Sequence, residues 1–265
     1  MSFRTVGAGA FFSLLLLGCA SQPTPEDPAT TNPSGVPASS EPIGLAEKLA
    51  SAARPQTDRT RDVGRKPAEV VEFLGFEPGM HLLDILAYSG YYTEVLSHAV
   101  GAEGRVFSQN PADVLALSNG ANDKALQQRL RNNRLPNVTR VNREFDDLGI
   151  APNSLDGAIT ALNLHDLYHR SPSYATSVLR RIYAVLKPGA VLGVIDHIGV
   201  PGRDNARLHR MTKAQAISAA QAAGFELVDE SELLANPYDD HTLFVFGPEL
   251  RGITDRFLLK LAKPR

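Results

Sequence analysis

The chain has 265 residues, 43% hydrophobic and 21% charged, a balance that supplies one sizeable globular core with attachments. Its formal net charge of −2 lacks the basic excess expected of a protein whose main partner is nucleic acid or an anionic membrane surface. The single cysteine, Cys19, excludes an internal disulfide framework and a cysteine-rich zinc site.

The chain begins "MSFRTVGAGAFFSLLLLGCA". Arg4 is a short positive region, and the apolar run 8–17 is about ten residues long, too short to span a bilayer comfortably. "LLGC" resembles a bacterial lipobox, which implies a lipoprotein signal peptide over 1–18 and membrane attachment through a lipid anchor at Cys19. The alternatives are an ordinary secretory signal with an incidental cysteine, or a buried N-terminal helix. Residues 19–42, rich in Pro, Ser and Thr, read as a disordered tether, which leaves 43–265 as the folded domain. The implied location is the cell envelope. Ala20, where many inner-membrane lipoproteins carry aspartate, favours the outer membrane by resemblance to enteric sorting.

From Ile43 the pattern becomes periodic. "IGLAEKLASAA" reads as a short amphipathic helix, and the charged stretch 59–67 leads into a helix with Pro67 at its start. "MHLLDIL" is a buried strand, 90–100 a helix ended by Gly101, and "GRVFSQ" a second strand. Residues 112–131 hold helical segments broken near Asn119 and Gly120, followed by the short strand "NVTRVN". "SLDGAITAL" is a strand, 172–186 a helix closed by "KPG", and "AVLGVID" the next strand. Residues 212–223 form a helix ended by Gly224, and "FELVDES" and "DRFLLKLAKP" are the last strands. Strands alternating with helices predict a mostly parallel sheet covered on both faces, with ligands at the carboxyl ends of the strands. Asp84, Gln109, Asn110, Asn163, Asp196 and His197 stand at those ends.

The blocks "DILAYSGYYTEVLS", "GRVFSQN", "SLDGAITALNLHDLYH" and "VLKPGAVLGVIDH", in that order, resemble a class I S-adenosylmethionine-dependent methyltransferase. The resemblance implies a Rossmann-like α/β fold with a seven-stranded sheet, mostly parallel with an antiparallel last strand, and helices on both faces. It implies S-adenosyl-L-methionine as cofactor and an unidentified, small-molecule acceptor as substrate. Within the superfamily the first loop is most similar to a group of exported predicted methyltransferases reading D-x-x-A-x-x-G-Y-Y.

Carried onto this chain, the resemblance puts Asp84 near the methionine end of the cofactor, with Ala87, Gly90 and Tyr91 in the first loop and helix start. Leu86 and Tyr88 replace two loop glycines; negative φ at both positions would accommodate their side chains. A side chain at Gly90 would intrude on the small-residue loop, weakening cofactor binding more than the fold. Gln109 and Asn110 replace the usual ribose-binding acid and remain ribose candidates, the alternative being caps for the helix at Ala112. Asp146, with Asp147 beside it, corresponds to the adenine contact, and Asn163 lies beside the methyl group. Arg61, Arg65 and Lys66 occupy a lid region and are candidates for binding a carboxylate.

"NLHDLYHR" gathers polar groups after the fourth strand, where the acceptor pocket should open. His165 is the first candidate for catalytic base, since an ordinary imidazole titrates near neutrality. Asp166 is its orienter or the alternative base, and His197 a further catalytic candidate. His209 and the "DDH" at 239–241 are weaker ones. Asp166, Asp196, His197 and His209 form a conceivable mixed ligand set, but no spacing is diagnostic and no metal is assigned. Two other functions compete: a methyltransferase fold that binds a ligand without turnover, and a Rossmann reductase. The reductase is disfavoured because the loop lacks G-x-G-x-x-G.

Overall fold

The computed structural model describes residues 43–265. In chain order it runs α1 (Leu45–Ala50), α2 (Gln56–Arg65), α3 (Pro67–Leu74), β1 (His81–Ile85), α4 (Tyr91–Val100), β2 (Arg105–Gln109), α5 (Ala112–Leu130) and β3 (Val138–Val141). It continues with β4 (Leu155–Ala161), α6 (Leu164–Arg170), α7 (Pro172–Val185), β5 (Leu186–His197), α8 (Asn205–Leu208), α9 (Lys213–Ala222), β6 (Glu226–Ser231) and β7 (Arg256–Ala262). The signal peptide, Cys19 and the tether expected over 1–42 lie outside the described residues. None of the described helices is long and apolar enough to cross a membrane.

The seven strands form one sheet in the order β3-β2-β1-β4-β5-β7-β6. β1 pairs in parallel with β2 on one side and β4 on the other, so the strand order reverses there. β7 is antiparallel to both neighbours, as the resemblance implies for the last strand. The apolar runs of β1, β4 and β5 are buried because helices cover both faces. β6 is the exposed edge, and Glu226, Asp229 and Glu230 discourage further strand pairing there. One face packs Val70, Leu74, Val95 and Leu96 of α3 and α4 onto Leu82 and Leu258. The other packs Val178, Ile182 and Ala220 of α7 and α9 onto Leu192 and Leu259. Each fully buried leucine of this kind contributes about 1.5–3 kcal/mol.

A buried charge cluster fixes α2 over the carboxyl end of β1. Glu94, on α4, pairs with Arg134 at 2.5 Å and with Arg129. Arg129 also pairs with Asp58 of α2 at 2.6 Å, and Arg54 with Asp62 at 2.5 Å. The break expected in α5 is present: Ser118, Asn119 and Gly120 are left-handed. On the far side, the buried Arg210 holds Asp239 through two 2.9 Å bonds and reaches Leu243 O, which positions the segment carrying Phe244 and Phe246.

Candidate functional site

Asp84, near the end of β1, is buried, and its Oδ2 accepts a hydrogen bond from Thr93 Oγ1 at 2.6 Å. Burial pushes its carboxyl up to about 7, against the opposing effect of the Thr93 bonds. The chain then turns left-handed at Leu86 (φ 52°), Tyr88 (φ 50°) and Gly90 (φ 82°). Negative φ at 86 and 88 was the condition for accommodating side chains, and it does not hold. The backbone of a three-glycine loop is kept with side chains at two of the three positions, each at a cost of about 1–2 kcal/mol.

Hydrogen bonds offset that cost. Leu86 N–H donates to Gln109 Oε1 at 3.2 Å, Ala87 N–H to Gln109 O at 2.9 Å, and Tyr88 N–H to Asn110 Oδ1 at 2.7 Å. Gly90 N–H donates to Ala87 O at 2.8 Å, and Asn163 Nδ2 donates to Leu86 O at 3.2 Å. Gln109 and Asn110 therefore do not present their amides as ribose ligands. Both are fully buried, and Gln109 Nε2 is spent on Arg143 O at 2.8 Å. They do not cap the helix at Ala112 either, whose N–H goes to Glu144 Oε1 at 3.1 Å. Gly90 faces α5: a Cβ there would meet Leu126 Cδ1 at 2.7 Å and Arg129 Cδ at 3.2 Å. Asp146 is exposed in the turn after β3 and is not part of the cavity wall, and Asp147 pairs with Arg143.

A cavity of about 230 Å³ opens over β1 and β4. Asp84, Ala87, Tyr91, Asn163, Asp166 and His197 line it, as do Tyr88, Arg61, Arg65 and Phe246. The hydroxyl of Tyr91 donates to Asp62 Oδ1 at 2.6 Å, and the guanidinium carbons of Arg61 and Arg65 lie 4.7 and 4.4 Å from its ring centroid. Tyr91 is thus a platform that holds two cations at the cavity. Lys66 points elsewhere, to Leu233 O at 2.8 Å. The sequence did not single out Phe246; its only signal, the run "LFVFG", reads equally as a short strand.

The polar cluster after β4 is assembled differently from the expectation. His165 is 1% exposed. Its Nδ1 lies 2.7 Å from Asp196 Oδ1, and its Nε2 lies 3.3 Å from both His209 Nδ1 and Asp166 Oδ1. Burial disfavours charge on the ring, but Asp196 and Asp166 outweigh it and push the imidazole up to about 10. An imidazole near its ordinary value, free to take a proton from a ligand, is therefore not what His165 supplies. His197, also buried, bonds Thr254 Oγ1 through Nδ1 at 2.7 Å. Burial pushes it down to about 3, so it is neutral at pH 7. His169 turns away to Arg210 O at 2.7 Å. Within "DDH", Asp239 serves the Arg210 pair and His241 bonds Asp255 at 2.8 Å.

A family model, protein-L-isoaspartate(D-aspartate) O-methyltransferase, matches residues 54–140. The ubiquinone/menaquinone biosynthesis C-methyltransferase UbiE of Shewanella sp. (strain ANA-3) is 31% identical over 127 residues, covering 48% of this chain and 46% of that protein. The chain thus spans about half the length of the curated relatives it matches. A SAM-dependent methyltransferase from Aquifex aeolicus superposes with a TM-score of 0.58 at 17% identity, over 84% of this chain and all of its own. The [4+2]-cyclase SpnF superposes with a TM-score of 0.57 at 19% identity, over 81% of this chain and 85% of its own. At those identities the superpositions speak to the fold. The sheet that reverses between β1 and β4 is that of the Rossmann-like class I methyltransferase fold, and the sequence match to the methyltransferase family model runs through the loop between β1 and α4.

Proposed function

We propose that this chain is a methyltransferase that takes S-adenosylmethionine and a small acceptor molecule at the crevice over β1 and β4. One observation carries the reading. The backbone keeps left-handed turns at 86, 88 and 90 although only Gly90 adopts them without strain. Strain of this kind persists where the surroundings over-determine it, and it clusters at ligand sites.

The residues fit the amino-acid end of the cofactor directly. Arg61 and Arg65 offer guanidinium donors for a carboxylate, and Asp84 offers a carboxylate for an ammonium group. On the nucleoside side Leu86, Val114 and Phe145 belong to the apolar cluster against which Tyr88 packs. Tyr88 is bonded to Asn110 through its peptide, so turning its ring outward leaves those bonds intact and opens that side. When bound, S-adenosylmethionine supplies an electrophilic methyl group. The chain's task is to hold the acceptor behind it and exclude water. A larger cavity of about 680 Å³ shares Arg61, Arg65, Leu162, His197 and Phe246 with the first, and its size supports a small-molecule acceptor.

A second reading, a methyltransferase fold that binds a ligand without turnover, draws on a different observation. The loop N–H groups and both amides at the end of β2 are already spent within the protein. The cyclase among the structural neighbours also warns that this fold alone does not fix methyl transfer. Calorimetric titration of the parent and of Tyr88→Gly with S-adenosylmethionine and its demethylated product, followed by an assay for consumption of the bound cofactor with small acceptors, separates the two. Binding with turnover by either supports the first reading; binding without turnover, or absence of binding by both at millimolar ligand, overturns it. The proposal extends to location: a lipid anchor at Cys19 in the cell envelope. Cys19→Ala should move the chain to the soluble fraction or leave an uncleaved signal, and unchanged membrane fractionation at the mature size would count against the anchor.

A further inference from the structure

Three side-chain atoms at the rim of the first cavity form a near-equilateral triangle. His165 Nε2 to His209 Nδ1, His165 Nε2 to Asp166 Oδ1 and His209 Nδ1 to Asp166 Oδ1 are each 3.3 Å. Two ligands held about 2.0–2.1 Å from one ion at the tetrahedral angle stand about 3.3–3.4 Å apart. The right angles of an octahedral ion at the same bond length bring them to about 2.9 Å. The triangle has the edge length of a tetrahedral site.

The surroundings prepare the same three atoms. Asp196 Oδ2 accepts the His165 backbone N–H at 2.8 Å, and Asp196 Oδ1 accepts the His197 N–H at 2.8 Å. With Oδ1 also 2.7 Å from His165 Nδ1, Asp196 holds the Nδ1–H as donor and turns Nε2 towards the other two ligands, where a bound ion would take the place of the Nε2 proton. A carboxylate behind a histidine is the usual means of orienting a metal-binding imidazole. Access is graded outward: the His165 side chain is 1% exposed, that of His209 37% and that of Asp166 46%. The rings of Phe244 and Phe246, centred 5.5 and 5.4 Å from that of His209, supply an apolar shell.

We propose that His165, Asp166 and His209 form a zinc-type divalent-cation site with an open fourth position. Two imidazole nitrogens and one carboxylate oxygen suit zinc better than magnesium or calcium, which favour oxygen ligands. The fourth position takes water, or a hydroxyl or carboxylate oxygen of a molecule in the adjoining cavity, whose wall includes Asp166 and Phe246. This set differs from the one conceivable from sequence: Asp196 stands behind His165, and His197 Nδ1 is engaged by Thr254. The site rests on these side chains and not on methyl transfer, so zinc binding and cofactor binding are separate measurements.

The test strips the full chain with a chelator, titrates it with zinc chloride by calorimetry and counts retained zinc after gel filtration. One zinc per chain is expected, and cobalt(II) in its place should show the intense visible absorption of a tetrahedral ion. His209→Ala and Asp166→Asn, at a half-buried and an exposed position and checked for folding by circular dichroism, should each weaken zinc binding at least 100-fold. Asp196→Asn should weaken it by about 10–100-fold through the orientation of His165. No retained zinc, zinc retained equally by His209→Ala and Asp166→Asn, or a weak octahedral cobalt spectrum would each overturn the proposal.

Discussion

Asn110 holds the Tyr88 peptide from both sides: its Oδ1 accepts the Tyr88 N–H at 2.7 Å and its Nδ2 donates to Tyr88 O at 3.2 Å. A side chain at the position of a ribose ligand has become a brace for the first loop. The brace acts on the peptide and the ring is held by apolar packing alone, so loop shape and crevice access are separable by mutation.

Tyr88→Gly should keep the loop and open the nucleoside side. Glycine adopts φ near 50° without the cost of about 1–2 kcal/mol that tyrosine bears there. The affinity for S-adenosylmethionine, measured by calorimetry, should rise at least tenfold over the parent. An unchanged affinity would mean that the ligand does not pass this residue.

Gly90→Val should damage the fold first. Its φ of 82° disfavours any side chain, and a Cβ would lie 2.7 Å from Leu126 Cδ1. Left-handed strain and overpacking together predict a loss of about 2–4 kcal/mol in urea unfolding. The expectation that cofactor binding suffers more than stability is reversed, because the glycine faces α5 and not the cavity. Stability within about 0.5 kcal/mol of the parent would refute this packing argument.

Asp84 should give stability a pH dependence of unusual sign. Its carboxyl titrates at about 7 in the folded chain, and near 3.9, about the ordinary value, when unfolded. Between those values the folded state binds the extra proton. The stability this group contributes is complete below about pH 3.9 and is lost as the pH rises through about 7. Asp84→Asn should therefore be more stable than the parent at pH 8, and the advantage should shrink towards pH 4. An advantage that does not change with pH would mean the carboxyl is not shifted.

Glu94 should show the opposite slope. Burial opposes its charge, but Arg134, His98 and Arg129 outweigh burial and hold the carboxyl well below its usual range. Its contribution is present above the unfolded value of about 4.3 and is lost as the pH falls below it. Glu94→Gln removes the carboxylate that Arg129 and Arg134 share, leaving Arg129 with Asp58 alone, and should cost about 3 kcal/mol at pH 7, the low end for breaking a buried pair. The gap between variant and parent should narrow as acid is added. Chemical denaturation from pH 7 down to pH 3 measures both, and a constant gap would contradict the pairing.

The sequence by itself determined the alternation of strands and helices, the break at Asn119 and Gly120, the helix stops at Gly101 and Gly224, and the strand ends that meet at the crevice. These are local properties: periodicity, turn chemistry and caps are written within a few residues of where they act. Only the tertiary structure decided what the strand-end side chains bind. Gln109 and Asn110 read as free amides until the loop is folded back upon them. His165 reads as an ordinary imidazole until Asp196 is placed behind it, and His209 joins it from 44 residues away. Such partners are chosen by the packing of β5, α6 and the segment after α8 against one another. Burial and long-range electrostatics, which no local pattern encodes, then set the charge each group carries.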